Sequence, residues 1–305
     1  MLPLNGFYRL HEHISLVRIA NLTSSCDLRV GQCKVLERFY SIKSVARYDG
    51  THNEMLNAVV KEVVEKNHYL KKEKGLLIYA KTQTHNTFFD ENWLSNVANQ
   101  NGLQHWDSAT LSLNHCATAL SALHFLKKTI IREKKPLILL TGEKAFHKDI
   151  NKLGNGLLSE IPLALLLNAG PAEWYITGSM VTHLPDFHNN YQDKSQSERR
   201  ERYSSLEDKY ADFYNKILNN FKLNLDQIDA IVPGNLDIPQ LKRAMAKLNF
   251  QGEFFLENIP DYGHAYCSDI PFNLSVLLQK FNGKRILCIS MGMGITLSGI
   301  LIEKR

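Results

Sequence analysis

The order of elements is written twice along this chain, and that duplication constrains the fold more than any other feature. The first pass opens with a helix over 53–65, where Met55, Leu56, Val59, Val60, Val63 and Val64 recur on one stripe. A strand is predicted at 76–81, then a helix opened by Asp90 and Glu91, and a strand near 109–113. A helix at 116–127 and strands at 136–141 and 162–168 complete it. The second pass has a helix at 203–221, with Leu206, Tyr210, Phe213, Ile217 and Phe221 on one face. It continues with a strand at 228–232, a helix at 238–248, a strand at 253–256, a helix at 268–280, and strands at 285–291 and 294–303.

Alternating helices and strands imply largely parallel sheets covered by helices, an α/β class. Two copies of the order predict two similar subdomains packed together, 1–170 and 171–305, linked by a polar loop over 184–202. The chain can build such a core: it has 305 residues, 44% hydrophobic and only 22% charged.

Several classes are excluded. No apolar run approaches the roughly 18 residues of a membrane span, and Met1 to Gly6 lack the basic patch and apolar core of a secretory signal. Cys26, Cys33, Cys116, Cys267 and Cys288 are odd in number and irregularly spaced, which predicts free thiols and a cytoplasmic location. The net charge of +5 is spread through 71–74, 127–135 and 194–209, either as solvated helix faces or as a landing surface for an acidic partner. Nucleic-acid motifs are absent. His11 and His13, with Cys26 and Cys33 nearby, do not complete a metal-ligand spacing, so no metal is expected. Phosphate-loop and dinucleotide glycine patterns are also missing.

Three segments carry chemistry. Cys116 lies where a strand gives way to a helix of small residues, and a helix N-terminus stabilises a thiolate. Taken alone, such a cysteine is more often inert packing. His264 lies just before the corresponding helix of the second half, with Ser268 as the expected N-cap and Asp269 and Pro271 in the first turn. Alone it is more often a surface or capping residue. In a duplicated fold, however, the two helix tips meet, which pairs Cys116 with His264. Gly292 and Gly294 mark a tight turn between the last two strands, serving either a plain hairpin or a close backbone approach to a ligand.

Together these segments resemble the β-ketoacyl-acyl carrier protein synthase III branch of the thiolase superfamily, from about Phe39 to Arg305. Cys116 to Leu123 resembles the nucleophile helix, and Leu139 to Glu143 the strand ending in a Gly-Glu pair. Ile231 to Asn235 resembles the segment bearing the family's catalytic histidine. Tyr262 to Pro271 resembles the segment bearing its asparagine, and Gly292 to Thr296 the terminal glycine turn. The resemblance implies a five-layered α/β/α/β/α fold with two mixed sheets. It implies an acyl group carried on Cys116, an oxyanion hole from the backbone of Cys116 and Gly294, and pairing of subunits through the strand near 109–113. Acyl-CoA or the phosphopantetheine of an acyl carrier protein would be the acyl donor, with no further cofactor.

Two positions depart from the family. Gly234 stands where the family has its histidine, and His264 where it has asparagine. Gly234 and Asn235 are therefore expected to border a second-substrate pocket, enlarged by the missing side chain. Losing one donor for a malonyl enolate costs about 10²–10³ in rate. The expected activity is thus acyl transfer by a Cys116–His264 dyad to a second substrate, in specialised-metabolite or lipid biosynthesis. The alternative is a degenerate, non-catalytic subunit paired with an active homologue. A cysteine hydrolase of another fold would need an acid to orient His264, for which Asp269 is the nearest candidate. No other cysteine is expected at a matching helix tip.

Overall fold

A computed structural model describes residues 1–10, 13–22, 30–83, 92–112, 114–145, 152–153, 155–184, 195–293 and 295–305. The first half runs β1 (Leu2–Arg9), β2 (Ile14–Arg18), α1 (Val30–Tyr40), β3 (Ser44–Tyr48), α2 (His52–Lys66), β4 (Leu76–Ala80) and α3 (Trp93–Gln100). After β5 (Asp107–Leu111), a 3-10 turn at His115–Ala117 leads into α4 (Thr118–Glu133). β6 (Leu137–Thr141), β7 (Lys152–Leu153), β8 (Gly156–Leu157) and β9 (Leu163–Leu167) follow. The second half runs β10 (Trp174–His183), α5 (Gln196–Phe221), β11 (Ala230–Pro233), α6 (Ile238–Leu248), β12 (Glu253–Phe254) and α7 (Ile259–Tyr262). A second 3-10 turn at Tyr266–Ser268 leads into α8 (Asp269–Leu277), β13 (Arg285–Gly292) and β14 (Thr296–Lys304).

The strand order is β5-β4-β6-β9-β1 in the first half and β12-β11-β13-β14-β10 in the second. In each half the first two neighbouring pairs are parallel and the last two antiparallel. The two halves are thus copies. They meet where β1 pairs with β10 through Leu2, Pro3 and Leu4, so the two expected mixed sheets are joined at this seam into one ten-stranded ladder.

The layers follow from which faces are apolar. β6 and β9 read Leu-Ile-Leu-Leu-Thr and Leu-Ala-Leu-Leu-Leu and are buried throughout, as strands covered on both faces must be. One core packs α2 and α3 against the outer face of the first half. Another packs α5 and α6 against the outer face of the second. Between the halves lies a third core built around α4 and α8. The result is the five-layered α/β/α/β/α thiolase arrangement. Among the described residues, no helix is long and apolar enough to cross a membrane.

The structure corrects several expectations. The helix predicted from 203 starts at Gln196, because Ser195 and Glu198 form a capping box at its entrance. Asp90 and Glu91 lie outside the described residues, as do His11, Cys26, Leu113 and 185–194; α3 has Asn92 at its N-cap, whose side chain does not cap the helix. The strand near 109–113, through which the resemblance implies subunit pairing, is β5, the last strand of the sheet, with Asp107, Ala109 and Thr110 exposed.

Candidate active site

Cys116 is held by its turn. His115 takes a left-handed φ of 47°, which folds the chain back before α4 starts at Thr118. Asn114 N donates to Thr118 Oγ1 at 3.3 Å, and Thr118 Oγ1 donates to His115 O at 2.6 Å. The turn sits on β13: Ser290 Oγ donates to Cys116 O at 2.9 Å. A Cβ at Gly292 would lie 1.9 Å from Asn114 O, so only glycine lets the strand pass the turn that bears Cys116. Gly292 thus serves a close approach of backbone to backbone. Gly294, expected in the oxyanion hole, lies outside the described residues.

His264 is fixed from both sides. Its backbone N donates to Leu157 O at 2.9 Å, and its carbonyl accepts from Ser159 N at 2.8 Å. Gly263 before it has φ 65°, and a Cβ there would meet Leu157 O at 2.8 Å. The ring is almost fully buried, 3% exposed. Its Nε2 lies 3.1 Å from Cys116 Sγ, and its Nδ1 lies 2.5 Å from Asp269 Oδ2. Sequence reasoning brought Cys116 and His264 together; the structure does the same and adds a carboxylate behind them.

Asp269, the first residue of α8, is 1% exposed and makes three contacts. Oδ1 accepts from Ala265 N at 2.6 Å, while Oδ2 accepts from Asn235 N at 2.6 Å and faces the imidazole. Ser268 was expected to cap this helix. Instead it has helical backbone angles, makes no capping bond, and donates Oγ to Thr141 Oγ1 at 2.8 Å. Ser268 is itself the last residue of the second 3-10 turn, so its backbone is not in the extended conformation of an N-cap.

Two buried histidines show what the carboxylate does. His52 faces Gly142 O and the Tyr79 hydroxyl, and burial lowers its pKa to about 4 despite the carbonyl contact. Burial pushes His264 down as well, but the Asp269 carboxylate and then the Cys116 sulfur outweigh it, so its pKa lies well above the usual 6.5.

The other expected residues divide. A Cβ at Gly234 would meet a single atom within 4 Å, Asp269 Oδ2 at 3.5 Å, so there is room where the family's histidine would begin. Asn235, next to Gly234, is buried at 1% exposed, with its side chain engaged. Its amide donates to Gly263 O at 3.0 Å and accepts from Asn273 Nδ2 at 2.7 Å, tying the turn after β11 to the residue before His264. Glu143 holds the end of β4, accepting from Thr82 N at 2.6 Å and Gln83 N at 2.9 Å. Cys267 was missed. It lies at the matching helix tip of the second half, 2% exposed, with Sγ 3.4 Å from Thr82 Oγ1 and donating to His115 O at 3.3 Å. The duplicated order, applied to the cysteines themselves, would have found it.

Comparison with known proteins agrees with this architecture. Residues 218–304 match the family described as 3-oxoacyl-[acyl-carrier-protein (ACP)] synthase III, C terminal. The beta-ketoacyl-[acyl-carrier-protein] synthase III of Acholeplasma laidlawii is 28% identical over 107 residues, 34% of this chain and 34% of that protein. The chain therefore matches about a third of that relative's length. Among solved structures, the Aquifex aeolicus 3-oxoacyl-[acyl-carrier-protein] synthase III superposes with a TM-score of 0.79 at 16% identity, covering 99% of this chain and all of that one. The acyltransferase ChlB3 superposes at 0.81 and 13% identity, covering 99% and 97%. The chain thus has the fold of these synthase III and acyltransferase structures, and its residues 218–304 match the C-terminal family of 3-oxoacyl-[acyl-carrier-protein] synthase III.

Proposed function

We propose that the protein is an acyltransferase that carries an acyl group on Cys116 and passes it to a second substrate. The observation that carries this reading is the 3.1 Å contact between Cys116 Sγ and His264 Nε2. That distance is within proton-transfer reach. In the first half-reaction the Cys116 thiol gives its proton to His264 Nε2, and the sulfur attacks the thioester carbonyl of the donor. The bond to the carrier sulfur breaks, and that sulfur leaves with the imidazolium proton. In the second, His264 Nε2 takes the proton of the acceptor as the acceptor attacks the acyl carbon. Cys116 leaves as thiolate and is reprotonated by His264. This is ping-pong chemistry.

Acyl-CoA or an acyl carrier protein serves as donor in this reading, as the names of its relatives suggest. Gly234 leaves the family's second enolate donor unfilled, which favours a preformed acceptor over decarboxylation of a malonyl carrier. The exposed edge of β5 suits pairing with a second copy or a homologue, because an open strand edge invites another strand.

Intact-mass spectrometry tests the reading directly. Wild-type protein incubated with acyl-CoA or an acyl carrier protein should gain one acyl mass. His264→Ala should slow this gain only partly, while transfer to an acceptor falls by about 10²–10⁴. Protein that gains no adduct from any donor is instead a non-catalytic partner subunit.

A further inference from the structure

Asp269 occupies a position whose partners are all accounted for, and they point one way. Its Oδ1 is used by Ala265 N, a bond internal to the turn. Oδ2 receives Asn235 N on one side and His264 Nδ1 on the other. A carboxylate only accepts hydrogen bonds. With Asp269 ionised, Nδ1 carries a proton in either charge state of the ring, so the proton that comes and goes is the one on Nε2, which faces Cys116 Sγ at 3.1 Å.

The turn that bears the family's histidine takes part in the same arrangement. Gly234 contributes no side chain, but the next residue contributes its backbone N–H to the oxygen that holds His264. The Asn235 side chain then fastens that turn to Gly263, the residue before His264. The imidazole is therefore oriented by a buried anion, and the anion is itself oriented by two backbone amides.

We infer that Asp269 is a positioning residue that fixes His264 with its proton on Nδ1, making Nε2 a proton acceptor for Cys116 and for an acceptor substrate bearing an O–H, N–H or S–H. This rests on the acyltransferase reading for the substrate but not for the orientation of the ring. A triad of this kind moves protons to and from a nucleophile. A malonyl carrier losing carbon dioxide presents no such proton, so the site is built for a protic acceptor.

The test is Asp269→Asn, read by the rate of Cys116 carbamidomethylation with iodoacetamide across pH, with peptide mass spectrometry to place the label. Either orientation of the amide loses something. With its NH₂ toward His264 it donates into Nδ1 and drives the proton to Nε2; with its oxygen there, the tautomer survives but the anion is gone. Labelling near neutral pH should fall on the order of 10²–10⁴-fold, and its half-maximal pH should rise. Among the described residues, the charged or titratable groups facing the ring are Cys116, Asp269 and Tyr266, so the shift is read against a Tyr266→Phe control, which should not move it. An unchanged profile in Asp269→Asn overturns the inference.

If Asp269→Asn does not fold, wild-type protein still decides. Proton NMR should show a strongly downfield, exchange-protected imidazole N–H that disappears in His264→Gln, and its absence overturns the inference. The two readings fail separately. A shifted labelling profile with no acyl adduct from any donor sinks the acyltransferase. Equal acylation and labelling in wild type and Asp269→Asn sinks the positioning role.

Discussion

The two 3-10 turns at the centre of the molecule have the same backbone and different chemistry. Each begins with a left-handed residue, His115 at φ 47° and Tyr266 at φ 56°, and each runs directly into a central helix. In each, the first residue of the helix reaches back to the backbone N–H four residues earlier: Thr118 to Asn114, Asp269 to Ala265. In each, the middle residue is a cysteine. Cys116 is half-buried and faces an imidazole; Cys267 is packed between Thr82 and His115 O, and burial pushes its thiol pKa well up. Backbone geometry at a helix entrance therefore does not by itself give a cysteine an imidazole partner. What differs is a single group: Asp269 has a second oxygen that Thr118 lacks, and that oxygen holds His264 over Cys116.

The largest expected effect breaks the comparison outright. Cys116→Ala should abolish the acyl adduct, whereas Cys267→Ala should leave its formation within a few-fold of wild type. Cys267 cannot substitute, since its sulfur is 2% exposed and buried thiols resist ionisation. Tryptic mapping of the acylated protein checks this. Label on the peptide containing Cys267 would mean that the two turns exchange roles.

How much of this was legible in the sequence also follows the duplication. Helices with a strong apolar stripe were readable: α2 follows Met55 to Val64, and α6 spans Ile238–Leu248 as its pattern predicts. The strand opening each half was not read, for the same reason twice. β1 contains Pro3 and Gly6 and β10 contains Gly178, residues that read as strand breakers, and in both strands the pairing register shifts at the glycine, between Leu4 and Gly6 and between Ile176 and Gly178. The pairing of Cys116 with His264 was legible because a pseudo-twofold relates the helix tips. Asp269 was legible only as the nearest acid that could orient His264, and spacing alone did not show that the two side chains touch. It lies five residues after His264, a spacing at which side chains do not meet along a regular helix. They meet here because Tyr266 is left-handed and folds the histidine back over the start of α8.

An intermediate effect is expected from restoring the family's side chain. Gly234→His has room for its first atom, and the carboxylate oxygen 3.5 Å away would then have two imidazoles competing for it. Transfer to the native acceptor should fall, because the new ring fills the acceptor's space and disturbs His264. Release of carbon dioxide from a malonyl carrier should rise, by well under the roughly 10²–10³ expected of one enolate donor, since His264 still stands where the family has asparagine. Radiolabelled carbon dioxide release measures it. A wild-type enzyme that already decarboxylates well, and that Gly234→His makes worse, would refute the account of the altered triad.

The smallest effect sharpens the comparison through stability. Asp269→Thr copies the first turn into the second: it keeps a hydroxyl for Ala265 N and removes the oxygen that holds His264. Its cost should depend on pH, because the pKa of His264 is raised above 6.5 in the folded wild type. A raised histidine adds stability that is fully present below the unfolded value of about 6.5 and is lost as pH climbs through the folded value. Without the carboxylate, burial is opposed only by the Cys116 sulfur, so the pKa of the ring falls and the variant loses the stability that protonation adds on the acid side. The gap in melting temperature between wild type and Asp269→Thr should therefore be widest on the acid side and narrow toward alkaline pH. Thr118→Ala, which deletes the corresponding bond of the first turn and touches no titrating pair, should cost about 0.5–2 kcal/mol with little pH dependence. Parallel melting series of the two variants make the measurement. A flat difference for Asp269→Thr would mean that His264 is not held by a charge, and that the two turns differ in less than their geometry suggests.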